Sequence, residues 1–398
     1  MNSTAYDDVL IAARAGRRGL DRPSPPAVLH SIDVPTVMSG ASNARRLLAF
    51  AGPGFLVAVG YMDPGNWATS LAGGSQFGYS LLSVVIMSNF MAMLLQAAAV
   101  RLGIAGGIDL AQACRRHFPP VLNLLLWAGC EVAIAACDLA EVLGMAIGLN
   151  LLLKIPLPVG VCITAADVML ALGLQRRGFR ALEAFIISLI CLIGMCFTLQ
   201  LCWLHPAADQ VAGGLLPSIQ LFSNGQMLYL AVSIVGATVM PHNLYLHSSI
   251  VQTRNYETSY SGLRHAIRFA TIDSSVALGL AILVNAAILI VAAGVFHRQG
   301  RAPVTELADA YRLLSPLLGV SVASAVFGIG LLASGLSSSI TGTLAGQITM
   351  EGFLEIRMSP AARAALTRCF AIVPAILVTL WYGGRGAGTL LVFSQVVL

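Results

Sequence analysis

Long apolar runs that are almost free of charge are the feature that most limits what this chain can fold into. Of its 398 residues, 57% are hydrophobic and only 10% are Asp, Glu, Lys or Arg, with a mean hydropathy of +0.81. Soluble domains carry about 25% charged residues, so this chain lacks the charge to cover a water-facing surface. The composition excludes a cytosolic enzyme, a nucleic-acid-binding protein and a disulfide-rich secreted domain. It predicts an all-α, polytopic membrane protein.

Ten apolar stretches are candidates for membrane spans. A spanning helix needs about 20 apolar residues; we expect the first nine stretches to span and the tenth to supply about half that length. The stretches are 48–72, 78–102, 121–150, 157–174, 182–204, 227–247, 272–296, 317–345, 368–382 and 388–398. The chain is therefore expected to stop inside a helix. Residues 1–45 are polar and proline-rich, which predicts a disordered tail.

Basic residues are distributed unequally between the loops. Eighteen arginines fall on the side of the amino terminus and five basic residues on the other side. The five are Lys154, Arg298, Arg301, Arg312 and Arg385. By the positive-inside rule, this asymmetry predicts a cytoplasmic amino terminus.

The first and sixth stretches share a short pattern. Residues 59–66 read VGYMDPGN and residues 235–243 read VGATVMPHN, so that Met240 matches Asp63. Five stretches in each half place the second copy upside down relative to the first. We therefore expect two inverted repeats, 46–204 and 205–398. Proline-interrupted segments at matching places in two halves are typical of a transporter's binding site.

The residues around these prolines predict helix breaks at membrane depth. Pro64 removes a backbone donor, Gly65 relaxes the backbone, and Pro241 does for the sixth helix what Pro64 does for the first. Broken backbone is tolerated inside a membrane only where it lines a cavity or is buried in protein. The freed carbonyls, that of Gly60 among them, are therefore candidate ligands. The alternative is a simple proline kink with Asp63 paired to an arginine.

The donor types around the two breaks indicate a transition-metal site. Asp63 offers a carboxylate, Asn66 an amide oxygen and Met240 a thioether, with backbone carbonyls such as that of Ala237 nearby. Mg²⁺ and Ca²⁺ prefer oxygen alone, whereas sulfur favours softer ions such as Mn²⁺, Fe²⁺, Co²⁺, Ni²⁺, Zn²⁺ and Cd²⁺. A lone methionine is more often core filling, but its match to Asp63 favours a ligand.

The two segments resemble the paired signatures of the Nramp family of proton-coupled divalent-metal transporters, in its bacterial manganese-transporter branch. Residues 107–111 (GIDLA) and 393–395 (FSQ) agree with this resemblance. It implies the five-plus-five inverted-repeat (LeuT-like) fold of sodium-coupled amino-acid symporters, placed in the plasma (inner) membrane. It also implies that Asp63, Asn66 and Met240 hold the metal with the carbonyls of Gly60 and Ala237. Gln395 would join them in an occluded state.

Three carboxylates lie along one side of the third stretch. Glu131 and Asp138 are separated by nearly two helical turns, and Glu141 lies three residues further on. An acidic face inside a membrane indicates a proton relay. The alternative is structural pairing with Arg363 and Arg368 near the ninth stretch.

The resemblance extends the proton route beyond these carboxylates. It implies that the acidic residues and a ninth-span arginine carry protons, with His242 near the metal and Asp63 binding or releasing a proton. We expect a structural role for His247. Asp167, in the fourth stretch, is an intramembrane carboxylate that either extends the polar network or lines the interface between the repeats.

These observations predict a secondary transporter rather than an enzyme. It would import Mn²⁺, and also Fe²⁺ and Cd²⁺, by proton symport through alternating access; no nucleotide-binding P-loop motif occurs in the sequence. Its partners are the metal ion, protons and the lipid bilayer, with no cofactor, nucleic acid or obligate protein partner.

Three alternatives stay open. A sodium-coupled amino-acid symporter would share the architecture but has no need of a thioether beside a carboxylate. An intramembrane metal hydrolase would need His-rich ligation such as H-E-x-x-H, which the sequence lacks. Relatives within the family that move Mg²⁺ or Al³⁺ lack the methionine.

Overall fold

The computed structural model describes residues 32–35, 42–297, 303–381 and 386–398, and these are almost entirely helical. The helices are α1 (Asn43–Phe50), α2 (Pro53–Ala58), α3 (Pro64–Phe77), α4 (Leu82–Arg101), α5 (Leu110–His117), α6 (Pro120–Leu153), α7 (Leu157–Thr164), α8 (Asp167–Arg176), α9 (Phe179–Leu204), α10 (Ala208–Gly214), α11 (Gln220–Ser223), α12 (Gly225–Thr238), α13 (Pro241–Ile250), α14 (Tyr260–Val295), α15 (Leu307–Leu318), α16 (Ala323–Leu354), α17 (Pro360–Trp381) and α18 (Ala387–Val397). Single turns of 3-10 helix lie at Val59–Met62, Gly78–Leu81 and Val251–Thr253, and a π-helical turn lies at Leu102–Gly106. The predicted all-α fold class is confirmed.

Within the described residues, seven continuous helical stretches are long and apolar enough to cross a membrane. They are Pro64–Gly106, Pro120–Leu153, Phe179–Leu204, Gly225–Thr253, Tyr260–Val295, Ala323–Leu354 and Ala361–Trp381, and Pro53–Met62 and Ala387–Val397 are shorter apolar helices. The predicted fourth span, 157–174, is not one helix. A turn at Ala165 and Ala166 divides it into α7 and α8, which brings Asp167 to the start of α8.

Two long helices support the broken ones. α14 packs along α2, α3 and α4, and α16 packs along α6 and α9. Trp67 of α3 is fully buried and meets Phe197 and Phe327 edge to face, with ring centroids 4.6 and 5.3 Å away. Aromatic pairs in this arrangement add to the energy of burial. They fix α3 against the helices that hold the break.

The outer surface is apolar where lipid would contact it. Met87, Phe90 and Leu94 of α4 are more than half exposed, and they lie on one face of that helix at three- and four-residue spacing. A contiguous apolar face of this kind is unstable in water and stable in a bilayer. It agrees with the prediction of a membrane protein.

Part of the predicted tail is ordered. Ile32–Asp33 forms β1, which pairs in parallel with β2 (Arg254–Asn255), and Nδ2 of Asn255 donates to Oδ1 of Asp33 at 2.9 Å. α1 begins at Asn43, inside the range 1–45. The prediction of disorder is therefore wrong for 32–35 and 43–45, because backbone pairing with a distant loop is not visible in local composition. Residues 1–31, with Arg298, Arg301 and Arg385 of the charge analysis, lie outside the described residues.

Candidate metal centre

The first helix break forms where the sequence predicts it. A 3-10 turn over Val59–Met62 ends at Asp63, which has an extended backbone (φ −66°, ψ 165°), and α3 begins with Pro64 at its first position. The Oδ1 atom of Asp63 accepts the backbone N–H of Asn66 at 2.9 Å. Proline suits the first helical position because its missing N–H has no helical partner there, and an aspartate before it satisfies a free amide. The break is thus a capped helix start inside an apolar segment.

The second break repeats this geometry. α12 ends at Thr238, Met240 has an extended backbone (φ −72°, ψ 116°), and α13 begins with Pro241. Met240 therefore occupies the residue before a helix-starting proline, as Asp63 does in the first break. The extended backbone before each proline agrees with the predicted match between Met240 and Asp63, which stays a prediction.

Two freed carbonyls of the first break already have protein partners. The carbonyl of Tyr61 accepts Nδ2–H of Asn285 on α14 at 2.7 Å, and that of Met62 accepts Oγ–H of Ser334 on α16 at 2.5 Å. Nε1 of Trp67 also donates to Met62, at 3.1 Å. Buried carbonyls need such partners when no water is present. The expectation that freed carbonyls are available as ligands therefore does not extend to Tyr61 and Met62.

The side chain of Asn66 joins the two breaks. Its Nδ2 donates to Oδ1 of Asp63 at 2.7 Å and to the carbonyl oxygen of Ala237 at 2.8 Å, and Ala237 belongs to the last turn of α12. Asp63 and Ala237 are fully buried and Asn66 nearly so. Three of the six predicted metal-site residues thus meet through direct hydrogen bonds.

The other three predicted residues lie against the same segments. Met240 is fully buried, and a Cβ atom placed on Gly60 would come within 2.3 Å of Nδ2 of Asn243, which donates to the Met240 sulfur. A Cβ atom on Gly65 would come within 2.2 Å of Cδ of Gln395 on α18. The amide groups of Asn243 and Gln395 therefore pack directly against the backbone of the first break.

The donor set fits a cation. Among the described residues, Oδ2 of Asp63, Oδ1 of Asn243 and Oε1 of Gln395 are buried acceptors without a hydrogen-bond partner. Buried acceptors without a partner are costly, and a bound ion or ordered water satisfies them. In the same part of the chain, no three His, Cys, Asp or Glu side chains converge as a metal site. The binding of an ion by Asp63 and Gln395 stays a prediction, and Asn243 is not among the predicted ligands.

The acidic residues of α6 face arginines of α17. Glu131 pairs with Arg363 at 2.5 Å, while Arg368 lies 3.6 Å from Glu141 and 3.9 Å from Asp138. Asp138, Glu141 and Arg368 are buried. The structure thus contains the predicted pairing with both arginines, and it leaves the relay as a prediction, since a network of this kind can serve both purposes.

The acidic network continues to α8. Oδ2 of Asp167 is 2.5 Å from Nη2 of Arg368 and accepts a hydrogen bond from Ser339 of α16. Of the two roles expected for Asp167, the structure supports extension of the polar network. A Cβ atom on Gly144, three residues after Glu141, would come within 2.2 Å of Cβ of Pro64. The carboxylate-bearing helix therefore contacts the helix break itself.

The two histidines of α13 have different surroundings. His242 is buried, and its Nδ1 has no hydrogen-bond partner among the described residues. Nδ1 of His247 lies 2.8 Å from Oε1 of Gln96, whose Nε2 donates to the hydroxyl of Tyr61 at 2.8 Å. The structural role predicted for His247 agrees with this buried contact between α13, α4 and the first break.

Comparison with known proteins is decisive for the family. The family model described as natural resistance-associated macrophage protein-like (Nramp) matches residues 54–398. The chain belongs to the Nramp family. The resemblance seen in the two signatures is therefore confirmed.

Curated relatives of this Nramp chain are named as divalent metal cation transporters. The protein named MntH from Bradyrhizobium diazoefficiens is 58% identical over 378 residues, covering 92% of this chain and 84% of the relative. MntH from a Nostoc species is 56% identical over 378 residues, covering 95% of this chain and 85% of the relative. The prediction of a transporter rather than an enzyme agrees with these names.

Solved structures support the same fold. A variant of the Eremococcus coleocola manganese transporter has a TM-score of 0.84 and 40% identity, covering 94% of this chain and 79% of that one. A nucleobase-cation-symport-1 transporter, Mhp1, has a TM-score of 0.61 at 15% identity, covering 86% of this chain and 74% of that one, which shows the fold alone. The predicted transporter fold is confirmed, while the inverted relation of the two repeats stays a prediction.

A polar cluster at the start of α2 of this Nramp chain was not predicted from the sequence. Arg254 and Glu183 form a buried ion pair at 2.6 Å, and Arg254 also donates to the carbonyls of Ala49 and Ala51. Asp273 of α14 accepts the backbone N–H groups of residues 52 and 54, at 3.2 and 2.7 Å. Glu183 and Asp273 fall inside predicted spans, so the rule that an intramembrane carboxylate has a role would have found them.

Proposed function

We propose that this chain is a secondary active transporter that imports divalent transition-metal ions by proton symport, through alternating access. The substrates proposed are Mn²⁺ and also Fe²⁺ and Cd²⁺. The observation that carries the proposal is the bridge from Asn66 to both Asp63 and Ala237, because it brings donors from both helix breaks to one buried place. The names of the curated relatives and of the Eremococcus transporter support the choice of substrate.

Ion binding between Asp63 and Ala237 requires a local rearrangement. The amide nitrogen of Asn66 now stands between their two oxygens. A metal bound by those oxygens would replace both hydrogen bonds, and the Asn66 amide would turn so that Oδ1 faces the ion. The carboxylate, the amide and carbonyl oxygens, and the Met240 sulfur then supply a mixed set of hard and soft donors, which favours transition metals over Mg²⁺ and Ca²⁺.

Proton coupling rests on the charge of the acidic network. Asp138, Glu141 and Asp167 surround the single guanidinium of Arg368 in a buried region. Three ionised carboxylates beside one cation would leave two uncompensated negative charges in a buried region, and a bound proton lowers that excess by one. Gly144 lies on α6 with Asp138 and Glu141, and it contacts Pro64. A structural change at the first helix break would therefore reach this network through α6.

Direction and location complete the proposal. The amino terminus would be cytoplasmic, as the positive-inside count indicates. The protein would lie in the plasma (inner) membrane, as the family resemblance implies. An inside-negative membrane potential contributes about 2.3 kcal/mol per charge per 100 mV, which favours cation uptake.

The test is metal uptake into proteoliposomes with internal pH recorded at the same time. We expect an inward proton gradient to drive Mn²⁺ entry, and we expect the interior to acidify only when the metal is present. Fe²⁺ and Cd²⁺ should compete with Mn²⁺ for uptake. A dependence on sodium and an amino acid, with no metal uptake, would instead support the sodium-coupled symporter.

A further inference from the structure

Asn243 lies three residues after Met240, on the first turn of α13, and its side chain reaches back to Met240. Nδ2 of Asn243 donates to the Met240 sulfur at 3.5 Å, and the backbone N–H of Asn243 donates to the Met240 carbonyl at 3.2 Å. Asn243 is 1% exposed and Met240 fully buried. The hydrogen bond to sulfur is therefore shielded from competition by bulk water.

The same amide contacts the first helix break. A Cβ atom on Gly60 would lie 2.3 Å from Nδ2 of Asn243 and 3.3 Å from its Oδ1, so the amide covers the Cα atom of Gly60. Asn243 is thus one side chain that touches both the sulfur of the second break and the backbone of the first.

This placement bears on the chemistry of the thioether. Methionine has a flexible side chain, so an unrestrained sulfur samples several directions. A thioether sulfur has two lone pairs, and an N–H bond to one of them leaves the other to bind a metal in a fixed direction. Preorganised ligands bind more tightly because less conformational freedom is lost on binding.

We propose that Asn243 is a positioning and specificity-determining residue that acts through the Met240 sulfur. It sets the direction of the sulfur lone pair and so the preference for a thiophilic ion such as Cd²⁺ over the harder Mn²⁺. This proposal rests on the proposed function, because it requires Met240 to be a metal ligand.

The experiment compares Cd²⁺ and Mn²⁺ affinities of the purified full chain in a double-mutant cycle. Asn243→Leu should lower the ratio of Cd²⁺ to Mn²⁺ affinity roughly two- to tenfold, the effect of losing about one net hydrogen bond. In the Met240→Leu background, Asn243→Leu should change the ratio no further. Asn123→Leu on α6, which removes a buried amide that donates to Phe353, is the matched control and should leave the ratio unchanged.

The outcomes separate this proposal from the proposed function. If Met240→Leu lowers the ratio but Asn243→Leu does not, or if Asn243→Leu acts equally in both backgrounds, the role of Asn243 is overturned and the metal site stands. If Met240→Leu leaves the ratio unchanged, sulfur is not a ligand and the role of Asn243 is overturned. The proposed function is overturned separately, if the wild-type chain binds neither metal. Should Asn243→Leu fail to bind Mn²⁺, Asn243→Ala removes the donor without added bulk and carries the same expectation.

Discussion

Asp63 combines two roles in one side chain. Its Oδ1 atom accepts the backbone N–H of Asn66, in the first turn of α3, and the side-chain N–H of the same residue, while Oδ2 has no hydrogen-bond partner among the described residues. One oxygen therefore stabilises the helix start, and the other is available to an ion. An uncapped helix would form less readily here, so the residue that binds also builds the break.

Replacement of this carboxylate tests the metal site most directly. Asp63→Ala should abolish Mn²⁺ uptake, because it removes the one charged ligand of the proposed set. Uptake of radioactive Mn²⁺ into proteoliposomes measures the effect. Asp209→Ala, at an exposed aspartate of α10, is the control and should transport normally. Transport by Asp63→Ala near the wild-type rate would refute the site.

In the proposed metal site, the sulfur of Met240 would account for selectivity among ions rather than for ion binding itself. Met240→Ala should retain Mn²⁺ uptake but let Ca²⁺ and Mg²⁺ compete, since hard ions bind equally well to the remaining oxygens. Competition assays with excess Ca²⁺ measure this change. Continued exclusion of Ca²⁺ would show that selectivity has another source.

At the scale of elements, the start of α2 is held from several sides. α9 supplies Glu183, β2 supplies Arg254 and α14 supplies Asp273. Arg254 pairs with Glu183 and donates to the backbone at residue 49, and Asp273 accepts a backbone N–H at residue 54. A Cβ atom on Gly52 (φ +139°) would lie 2.3 Å from the Glu183 carboxyl carbon, so this approach requires glycine. Four separate segments thus meet at the amino-terminal end of α2, the first half of the first broken helix.

The ion pair at this junction should contribute to stability. Arg254→Ala would leave the buried Glu183 paired only with the half-exposed Arg180, at 3.1 Å. Loss of one member of a buried pair costs about 3–5 kcal/mol. Thermal unfolding in detergent measures the loss. Arg312→Ala, which breaks an exposed contact of 3.7 Å with Asp309, should change stability by about 1 kcal/mol at most. Equal effects of the two substitutions would contradict the assignment.

A second junction joins α15 to α18 and should respond to pH. Oε2 of Glu306 accepts the backbone N–H of Gly388 at 2.7 Å, and burial raises the pKa of Glu306 although this hydrogen bond lowers it. A raised pKa in the folded state means that the contribution of Glu306 is complete at acidic pH and is lost as the pH rises through the folded pKa.

Glu306→Gln removes this titration while keeping an oxygen acceptor. We expect the difference in unfolding temperature between acidic and neutral pH to be smaller in this variant than in the wild type. Glu355→Gln, at an exposed glutamate, should leave the pH profile unchanged. If the Glu306→Gln profile coincides with that of the wild type, Glu306 does not contribute.

The two breaks could be predicted from sequence because their causes are local. Pro64 and Pro241 each begin a helix, because proline suits the first helical position and disrupts an interior one. The hydrogen bonds that join distant segments could not be predicted, because their partners lie far apart along the chain: Asn66 and Ala237 are 171 residues apart, and Glu183 and Arg254 are 71 apart. The division of the fourth span at Ala165 was missed for another reason, since its apolar composition suits one helix or two.

At the scale of the whole molecule, the proposed proton symport requires the metal centre and the acidic network to act together. The network lies between α6, α8, α16 and α17, and α6 contacts the first break through Gly144. Glu141→Gln or Asp138→Asn should therefore reduce proton entry per metal ion more than it reduces metal affinity. Simultaneous recording of Mn²⁺ uptake and internal pH gives this ratio, with Asp309→Asn as an exposed control. A variant that lost metal affinity but kept proton flux would contradict the relay.

The anchoring of Tyr61 and Met62 has a consequence for how the molecule could move. Their carbonyls are fastened to Asn285 and Ser334, on two helices that do not break. The half-helices α2 and α3 would then tilt about these fixed carbonyls, and neither carbonyl would lose its hydrogen-bond partner. The ion would keep a constant depth in the bilayer while the opening changed from one aqueous compartment to the other.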